Sequence, residues 1–488
     1  MASQTTINNH DQVKIIEQCK VSPPQGSLPS TTILPVTYFD IQWFLSPPIN
    51  RIFFYEFPYS TNHFLQSSLP PLKHSLSLSL QHFFPFASNL IAPPTPNLPF
   101  IRFIDGVDSL SLTIAESQAE FSLLVSDSPQ DIRLLHPLVP SLPPKLTLED
   151  GTHVMPLMAI QLTVLPNSGF AICLTFCHVA ADGNSLHQFT KFWANLCKQI
   201  VTRGGGGGES SFLSLPFLDR DIVKDPKGLK HVYMEEIRDF MRKKKNDMDS
   251  HDNIMVRATL VLNHSQIEKL KKFVSLKYRD TYGSNNNNTL LHMSTFVVTC
   301  SLIWVCMMQS EQQTQDDDDD DIHDKDFDEV CYFIILADYR GRSEFSIPSN
   351  YFGNCLVSGY VGIKRGDLVG DYGIFEAARG IEREIRNLRN DALRKAESFI
   401  SDSRAVRECY RRIVVAGSPK LGVYETDFGW GKPKKSTAAH VESGQAFSLS
   451  DCRNNEGAVE VGIALERIRM NQFISIFQQH LQNIDHDL

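Results

Sequence analysis

The chain contains no stretch approaching the ~20 consecutive apolar residues that a bilayer-spanning helix needs, so no membrane-embedded protein is expected. It also lacks an excess of positive charge: 47 Lys and Arg stand against 56 Asp and Glu, a net of -9. That removes the electrostatic footprint of a nucleic-acid or anionic-lipid binder. Ten cysteines occur, but never as a CxxC pair, and most sit inside apolar segments such as Ile172-Cys173-Leu174. They read as reduced, buried thiols of a cytosolic protein. There is no GxGxxG after a strand, no Walker loop, no HExxH and no GxSxG, so dehydrogenases, P-loop enzymes, zinc proteases and α/β-hydrolases lose their ground. With 27 Gly, 26 Pro and 31 Phe in 488 residues, the composition fits neither a disordered nor a collagen-like chain.

What is present is enough length and apolar content, 42% hydrophobic, for two or three cores. Residues 1–18 lack the basic start and apolar stretch of a signal peptide, so the mature chain is expected to begin at or near Met1. The composition breaks at five glycines, residues 204–208, which no helix or strand interior tolerates. Residues 285–288 are all Asn and residues 316–321 all Asp. The aspartate run lacks the alternating ligand positions and turn glycine of a Ca²⁺ loop, so it reads as a solvated, self-repelling loop. No metal site is expected.

Leu72, Leu76, Leu80 and Phe83 recur at helical spacing and predict a helix over 71–84, with Pro71 in its first turn and Pro85 as its stop. Residues 155–165 and 170–177 are β-rich runs either side of Pro166-Asn167-Ser168-Gly169, a hairpin pattern. Leu186, Phe189, Trp193, Leu196 and Ile200 then form an amphipathic stripe, with Ser185 as its expected N-cap. Further on, Ser265 to Glu268 is a capping-box pattern, residues 295–308 are apolar on every side, and a polar, basic helix is expected over 372–394. Strands are expected over 330–337, 412–416, 446–450 and 459–465, before a last helix carrying Met470, Phe473, Phe477 and Leu481. The fold class is thus mixed α/β (α+β), in two domains with mixed sheets and flanking helices.

Three constellations could carry chemistry. His178 stands at the lip of a strand, four residues before Asp182 and Gly183, in a turn of small residues. A histidine can accept and return a proton near neutrality. Sixteen histidines would give about one HxxxD by chance, so on the residues alone a structural histidine is the commoner reading. Asp427-Phe428-Gly429-Trp430-Gly431 reads as a tight loop, with Lys432 and Lys434 able to attract phosphate, or equally as an aromatic-anchored surface loop. Tyr351 to Cys355 (YFGNC) follows Asp338-Tyr339-Arg340. Cys355 has no basic neighbour in sequence to activate its thiol.

Taken together and in this order, HVAADG at His178, YFGNC at Tyr351 and DFGWG at Asp427 resemble the plant BAHD acyl-CoA-dependent acyltransferases, in the branch acting on anthocyanin and flavonoid glycosides. The likeness extends to Leu34 to Asp40, Pro216 to Arg220 and Val459 to Ile463, nearly the whole chain. The resemblance implies two domains like chloramphenicol acetyltransferase with a channel between them. The division implied here is 1–205, a crossover over 206–245, and 246–488. It implies His178 as general base, Asp182 as an organiser paired with Arg340, and Asp427, on weaker ground, among the catalytic residues. Gly429 and Trp430 would support the loop, while Asn184, Ser294, Thr295, Gly417, Ser418 and Pro419 would contact the acyl donor.

The resemblance further implies acyl-CoA as co-substrate with no bound cofactor, a phenolic glycoside acceptor, no nucleic-acid or membrane partner, a cytoplasmic location and a monomer. Malonyl-using relatives often carry Arg or Lys directly after HxxxDG, where this chain has Asn184. That favours a neutral aromatic donor such as p-coumaroyl- or caffeoyl-CoA, with malonyl-CoA close behind. An amine or terpenoid acceptor on the same frame, or a relative that binds these molecules without turnover, are the rival readings.

Overall fold

The computed structural model describes residues 13–203, 214–243, 254–282, 293–312, 327–342, 346–390 and 392–487. The glycine, asparagine and aspartate runs lie outside them. Three sheets organise the described residues. The first runs β1 (Lys14–Val21), β6 (Leu110–Glu116), β10 (Met158–Leu165), β11 (Gly169–Phe176), β3 (Ile49–Glu56), β16 (Lys435–Thr437). The second runs β14 (Leu356–Lys364), β13 (Val330–Asp338), β15 (Arg412–Gly417), β17 (Ala446–Asp451), β18 (Val459–Glu466), β12 (Met255–Leu262), β7 (Gln130–Asp131). A smaller third sheet runs β2 (Thr31–Pro35), β5 (Phe100–Ile104), β4 (Asn89–Ala92), β9 (His153–Pro156), β8 (Leu146–Thr147). Two strands cross over: β16, from late in the chain, edges the first sheet, and β7, from early in the chain, edges the second.

The expected hairpin is β10 and β11, antiparallel from Met158↔Phe176 to Leu165↔Gly169. Every residue of both strands is buried, so they form the middle of a covered sheet. Helix α1 (Tyr38–Ile41) opens on a capping box between Thr37 and Asp40. Helix α2 (Leu69–His82) turns Leu72, Leu76 and Leu80 inward together with Ser75 and Ser79, whose hydroxyls close on the carbonyls four residues back. It packs on α3 (Gly183–Arg203), where Trp193 donates its indole N–H to Leu72 O at 3.2 Å and Ser75 Oγ at 3.1 Å.

Helix α4 (Leu229–Lys243) lies within the expected crossover, and α5 (His264–Tyr282) is capped by Asn263 and Gln266. That reciprocal pair stands two residues before the expected Ser265 box, because Asn263 and Gln266 satisfy the same pattern one half-turn earlier. Helix α6 (Thr295–Gln312) is buried from Val297 to Met308, as its uniform apolarity requires. The expected helix over 372–394 is helical over α7 (Gly373–Asn390) and over α8 (Ala392–Glu408), with residue 391 outside the described residues. Nor is α7 polar all round. Ile374, Phe375, Ala377, Ala378, Ile381 and Leu388 form a buried stripe that the intervening arginines and glutamates mask in a linear reading. Helix α9 (Arg467–Asp487) closes the chain.

Candidate active site

The hairpin ends at Phe176 and α3 begins at Gly183, so β11, the HxxxD turn and α3 form one strand-turn-helix unit. Its cap is Asp182, whose carboxylate accepts the Ser185 N–H at 3.0 Å while its carbonyl accepts from Leu186. Ser185, the expected cap, instead exchanges hydrogen bonds with the carbonyl and N–H of Gly353, each at 3.0 Å. The helix therefore starts three residues earlier than expected, and Ser185 ties its first turn to YFGNC.

Asp182 and Arg340 meet in a forked ion pair, at 2.8 and 3.0 Å, with side chains 0% and 3% exposed. Arg340 spends its remaining donors on Asp338, the Ser185 hydroxyl and the carbonyls of Tyr351 and Gly353. Although burial opposes its charge, Asp182 and Asp338 hold the guanidinium protonated. Asp182 also accepts the Cys355 N–H at 3.0 Å. The carboxylate therefore faces the second half of the chain, away from the imidazole. Cys355 itself is fully buried with its thiol pushed up by burial, which leaves no nucleophile there.

His178 is 5% exposed and stacks face to face on Trp43, centroids 3.9 Å apart and planes 6° apart. Its Nδ1 meets Asn354 Oδ1 at 3.1 Å. The Asn354 amide nitrogen donates to Asp40 at 3.0 Å and to the carbonyls of His178 and Val179 at 2.8 and 3.3 Å. A flipped amide would set its oxygen against three acceptors, so the oxygen faces the ring and Nδ1 carries the proton. Nε2 is then the basic nitrogen. Burial lowers the pKa of His178, against the opposing pull of its own backbone, Asp182, Asn354 and Asp40, so the ring is neutral at physiological pH.

Asp40 anchors this chain of contacts. It accepts from Thr37, Asn354 and Arg220, the last an ion pair at 2.7 Å with both side chains 0% exposed. Arg220 and Arg340 each lie over the Tyr351 ring, 5.6 and 5.7 Å from its centroid. Gly353 sits at φ +143°, and a Cβ there would stand 2.6 Å from the Arg220 guanidinium, so only glycine fits. Phe352 next to it plugs into the first half's core against Phe83 and Phe86. Sequence reasoning missed Trp43, Asp40, Arg220 and Asn354 as parts of the site, although the last three stand within stretches that carried the resemblance.

The structure does not bring Asp427 to His178. Asp427 accepts the N–H groups of Gly429 and Gly431 at 2.8 and 2.9 Å and pairs with Lys198 at 2.7 Å. Lys198 lies fifteen residues along α3 from Gly183, about 22 Å at 1.5 Å per residue. Burial works against the Asp427 charge, but Lys198 and the two amides hold its carboxyl below the usual range. Gly429 and Gly431 take positive φ to close the loop, and Trp430 packs on Phe57 and Phe170. These are the contacts of an anchored loop. Lys434 pairs with Glu56 at 3.1 Å.

Of the expected donor contacts, Gly417 ends β15 and Ser418 caps the turn over Pro419. Leu421, just beyond, would meet a Cβ on Gly183 at 3.8 Å, so this stretch fronts the first turn of α3. Asn184 donates to Asp338 at 2.9 Å. Ser294 caps α6 through the Val297 N–H at 3.3 Å, and Thr295 begins that helix half-buried. Among the described residues no cluster of three metal-ligating side chains occurs, and no helix is long and apolar enough to cross a membrane.

The sequence matches the Transferase family over residues 12–480. It is 39% identical over 477 residues to coumaroyl-CoA:anthocyanidin 3-O-glucoside-6''-O-coumaroyltransferase 1 of Arabidopsis thaliana, covering 96% of this chain and 97% of that protein. It is 33% identical to malonyl-coenzyme A:anthocyanin 3-O-glucoside-6''-O-malonyltransferase of Dahlia pinnata, covering 98% and 99%. In three dimensions it is similar to vinorine synthase, with a TM-score of 0.66, 18% identity, and 95% and 98% of the two chains covered. Fusarium sporotrichioides TRI101, solved with coenzyme A and T-2, follows at 0.61 with 13% identity, covering 91% and 97%. Those likenesses show the fold, mixed α/β of the chloramphenicol acetyltransferase type.

Proposed function

The chain belongs to the Transferase family of BAHD acyl-CoA-dependent acyltransferases, and from that premise we propose that it moves a hydroxycinnamoyl or malonyl group from CoA to a sugar hydroxyl of an anthocyanin or flavonoid glucoside. The coumaroyl- and malonyltransferases at 39% and 33% identity support donor and acceptor class alike. The observation that carries the mechanism is the neutral His178, with Nδ1 committed to Asn354, its ring flat on Trp43 and Nε2 left basic.

In the proposed reaction Nε2 takes the proton of the sugar hydroxyl as its oxygen attacks the thioester carbonyl. The tetrahedral intermediate expels CoA as thiolate, which recovers that proton from the imidazolium. Both substrates are bound together, and no acyl-enzyme forms. Asp182, paired with Arg340, holds the turn and the first turn of α3 in place. The DFGWG loop maintains the far end of α3, and Ser294, Thr295, Gly417, Ser418 and Pro419 border the donor's path. We place the domain division at 206–245, with β7 and β16 exchanged across it.

Incubating the purified protein with cyanidin glucoside and a mixture of acyl-CoAs, followed by mass spectrometry, tests donor and acceptor together. Wild type is expected to give an acyl glucoside. His178→Ala is expected to keep its melting temperature and lose ~10²- to 10⁴-fold in rate. Retention of most of the rate would overturn the general-base assignment.

A further inference from the structure

A histidine base becomes a cation for as long as it holds the proton, and a buried cation needs a partner. In this site the nearby carboxylates are engaged elsewhere. Asp182 forks onto Arg340 and Asp40 pairs with Arg220, and among the described residues no carboxylate lies within ion-pair distance of the imidazole. Burial lowers the pKa of His178 more than these two carboxylates, acting through space, raise it. His440, the other titratable ring that feels His178, is kept neutral by burial, its own pKa pushed down to about 4.

What touches the ring is an amide at its edge and an indole on its face. Asn354 Oδ1 meets Nδ1 at 3.1 Å, and Trp43 lies 3.9 Å away, centroid to centroid, with the planes 6° apart. The next ring, Phe176, is 6.3 Å off and tilted by 43°, too far and too oblique to cover the face. Edge and face are fixed from one short turn: the Asp40 carbonyl accepts the Trp43 N–H at 3.1 Å, while the Asp40 carboxylate accepts from the Asn354 amide at 3.0 Å. Trp43 is half-buried, and its indole nitrogen is enclosed without a hydrogen-bond partner among the described residues. A buried indole N–H ordinarily finds an acceptor, and leaving it without one costs stability. A phenyl ring would stack in the same place with no unmet donor. What the indole adds is the side chain π face that attracts a cation most strongly.

We propose that Trp43 is a positioning residue of the transfer reaction, whose indole face stabilises the positive charge that His178 gains with the sugar proton, where other histidine bases lean on a carboxylate. The proposal rests on the reading of His178 as the general base. While Nε2 is unprotonated, the stack holds the plane of the ring. Once the proton arrives, the same contact becomes a cation over a π face, within the ~6 Å over which that attraction acts. The interaction is thus stronger in the transition state than before it, and only such a difference accelerates the step. When the proton passes on to the CoA thiolate, the ring returns to its neutral stack.

The test measures the single-turnover transfer rate, and the acid limb of its pH profile, in wild type, Trp43→Phe and Trp43→Leu. Trp43→Leu is expected to slow transfer about 10-fold, with Trp43→Phe between. The direction in which the limb moves separates charge from packing. The base is lost as pH falls through the pKa of the ring, and removing what favours the imidazolium lowers that pKa further, so the limb should move to lower pH by about one unit. Were the indole only a wall, the smaller side chain would admit water, relieve the burial that depresses the ring and move the limb to higher pH. A limb that rises or stays put overturns the proposal. Should the variants fail to fold, fluorinated tryptophans placed at position 43 alone decide, because successive ring fluorines weaken the π face with little change in size. Rate and acid limb falling with each fluorine, at an unchanged melting temperature, support the proposal, and a flat series overturns it. Retention of transfer in His178→Ala would overturn the general-base reading itself, whereas its loss there together with a flat fluorine series overturns the role of Trp43 alone.

Discussion

Two aspartates, 245 residues apart, are handled in opposite ways. Asp182 and Arg340 are sealed from water and wired into Ser185, Gly353 and Cys355, whereas Asp427 and Lys198 meet at the rim of the molecule with side chains 21% and 48% exposed. Both carboxylates cap backbone N–H groups and both pair with a cation, so their local chemistry is nearly the same. What differs is the medium. In the interior a lone charge has no water to fall back on, while at the rim solvent replaces a lost partner at little cost. An aspartate's importance to the site therefore follows from where its partner stands more than from the motif that carries it.

The contrast is open to attack at both ends. Arg340→Met strands the Asp182 carboxylate in the interior and is expected to cost about 3–5 kcal/mol in urea unfolding. A loss below about 1 kcal/mol would erase the distinction. Asn354→Asp probes the neighbouring histidine. A carboxylate there would favour protonated His178, so the acid limb of the kcat/KM profile should move up by about one pH unit or more. The sign follows from the wild-type ring, whose pKa lies below the ordinary histidine value: the base is lost as pH falls through that depressed pKa, and raising it makes the loss begin earlier. A limb that stays put would mean that Asn354 does not set the ring's protonation. Lys198→Met, the mildest, should change stability by less than about 1 kcal/mol and leave transfer rates within about twofold.

Local features of this fold were legible in the sequence and long-range ones were not. The β10 to β11 hairpin, the buried α6 and the stripe on α3 are written in apolar spacing over eight to twenty residues. The contact between His178 and Asn354 spans 176 positions, and that between Asp40 and Asn354 spans 314. No periodicity encodes such a meeting. A partial signal existed: Asp40, Arg220 and Asn354 each stood in a stretch that carried the family resemblance, yet nothing linear said that these stretches touch. Trp43 gave no signal, since a tryptophan beside Phe44 and Leu45 reads as ordinary core. Ser185 misled because serine is a good cap, but Asp182 sat three residues earlier with a carboxylate to offer.

The three residues of β16 have a consequence in time. The Ile52-Phe53-Phe54-Tyr55 segment of β3 finds its outer neighbour only at Lys435 to Thr437, about 380 residues later in the chain. At ~5–20 residues per second of synthesis, that apolar edge waits roughly 20–75 seconds for its partner. During that interval the nascent chain carries an open strand able to pair with any other, the condition under which chaperones are needed. The last stretch to leave the ribosome before β17 is therefore what closes the first sheet.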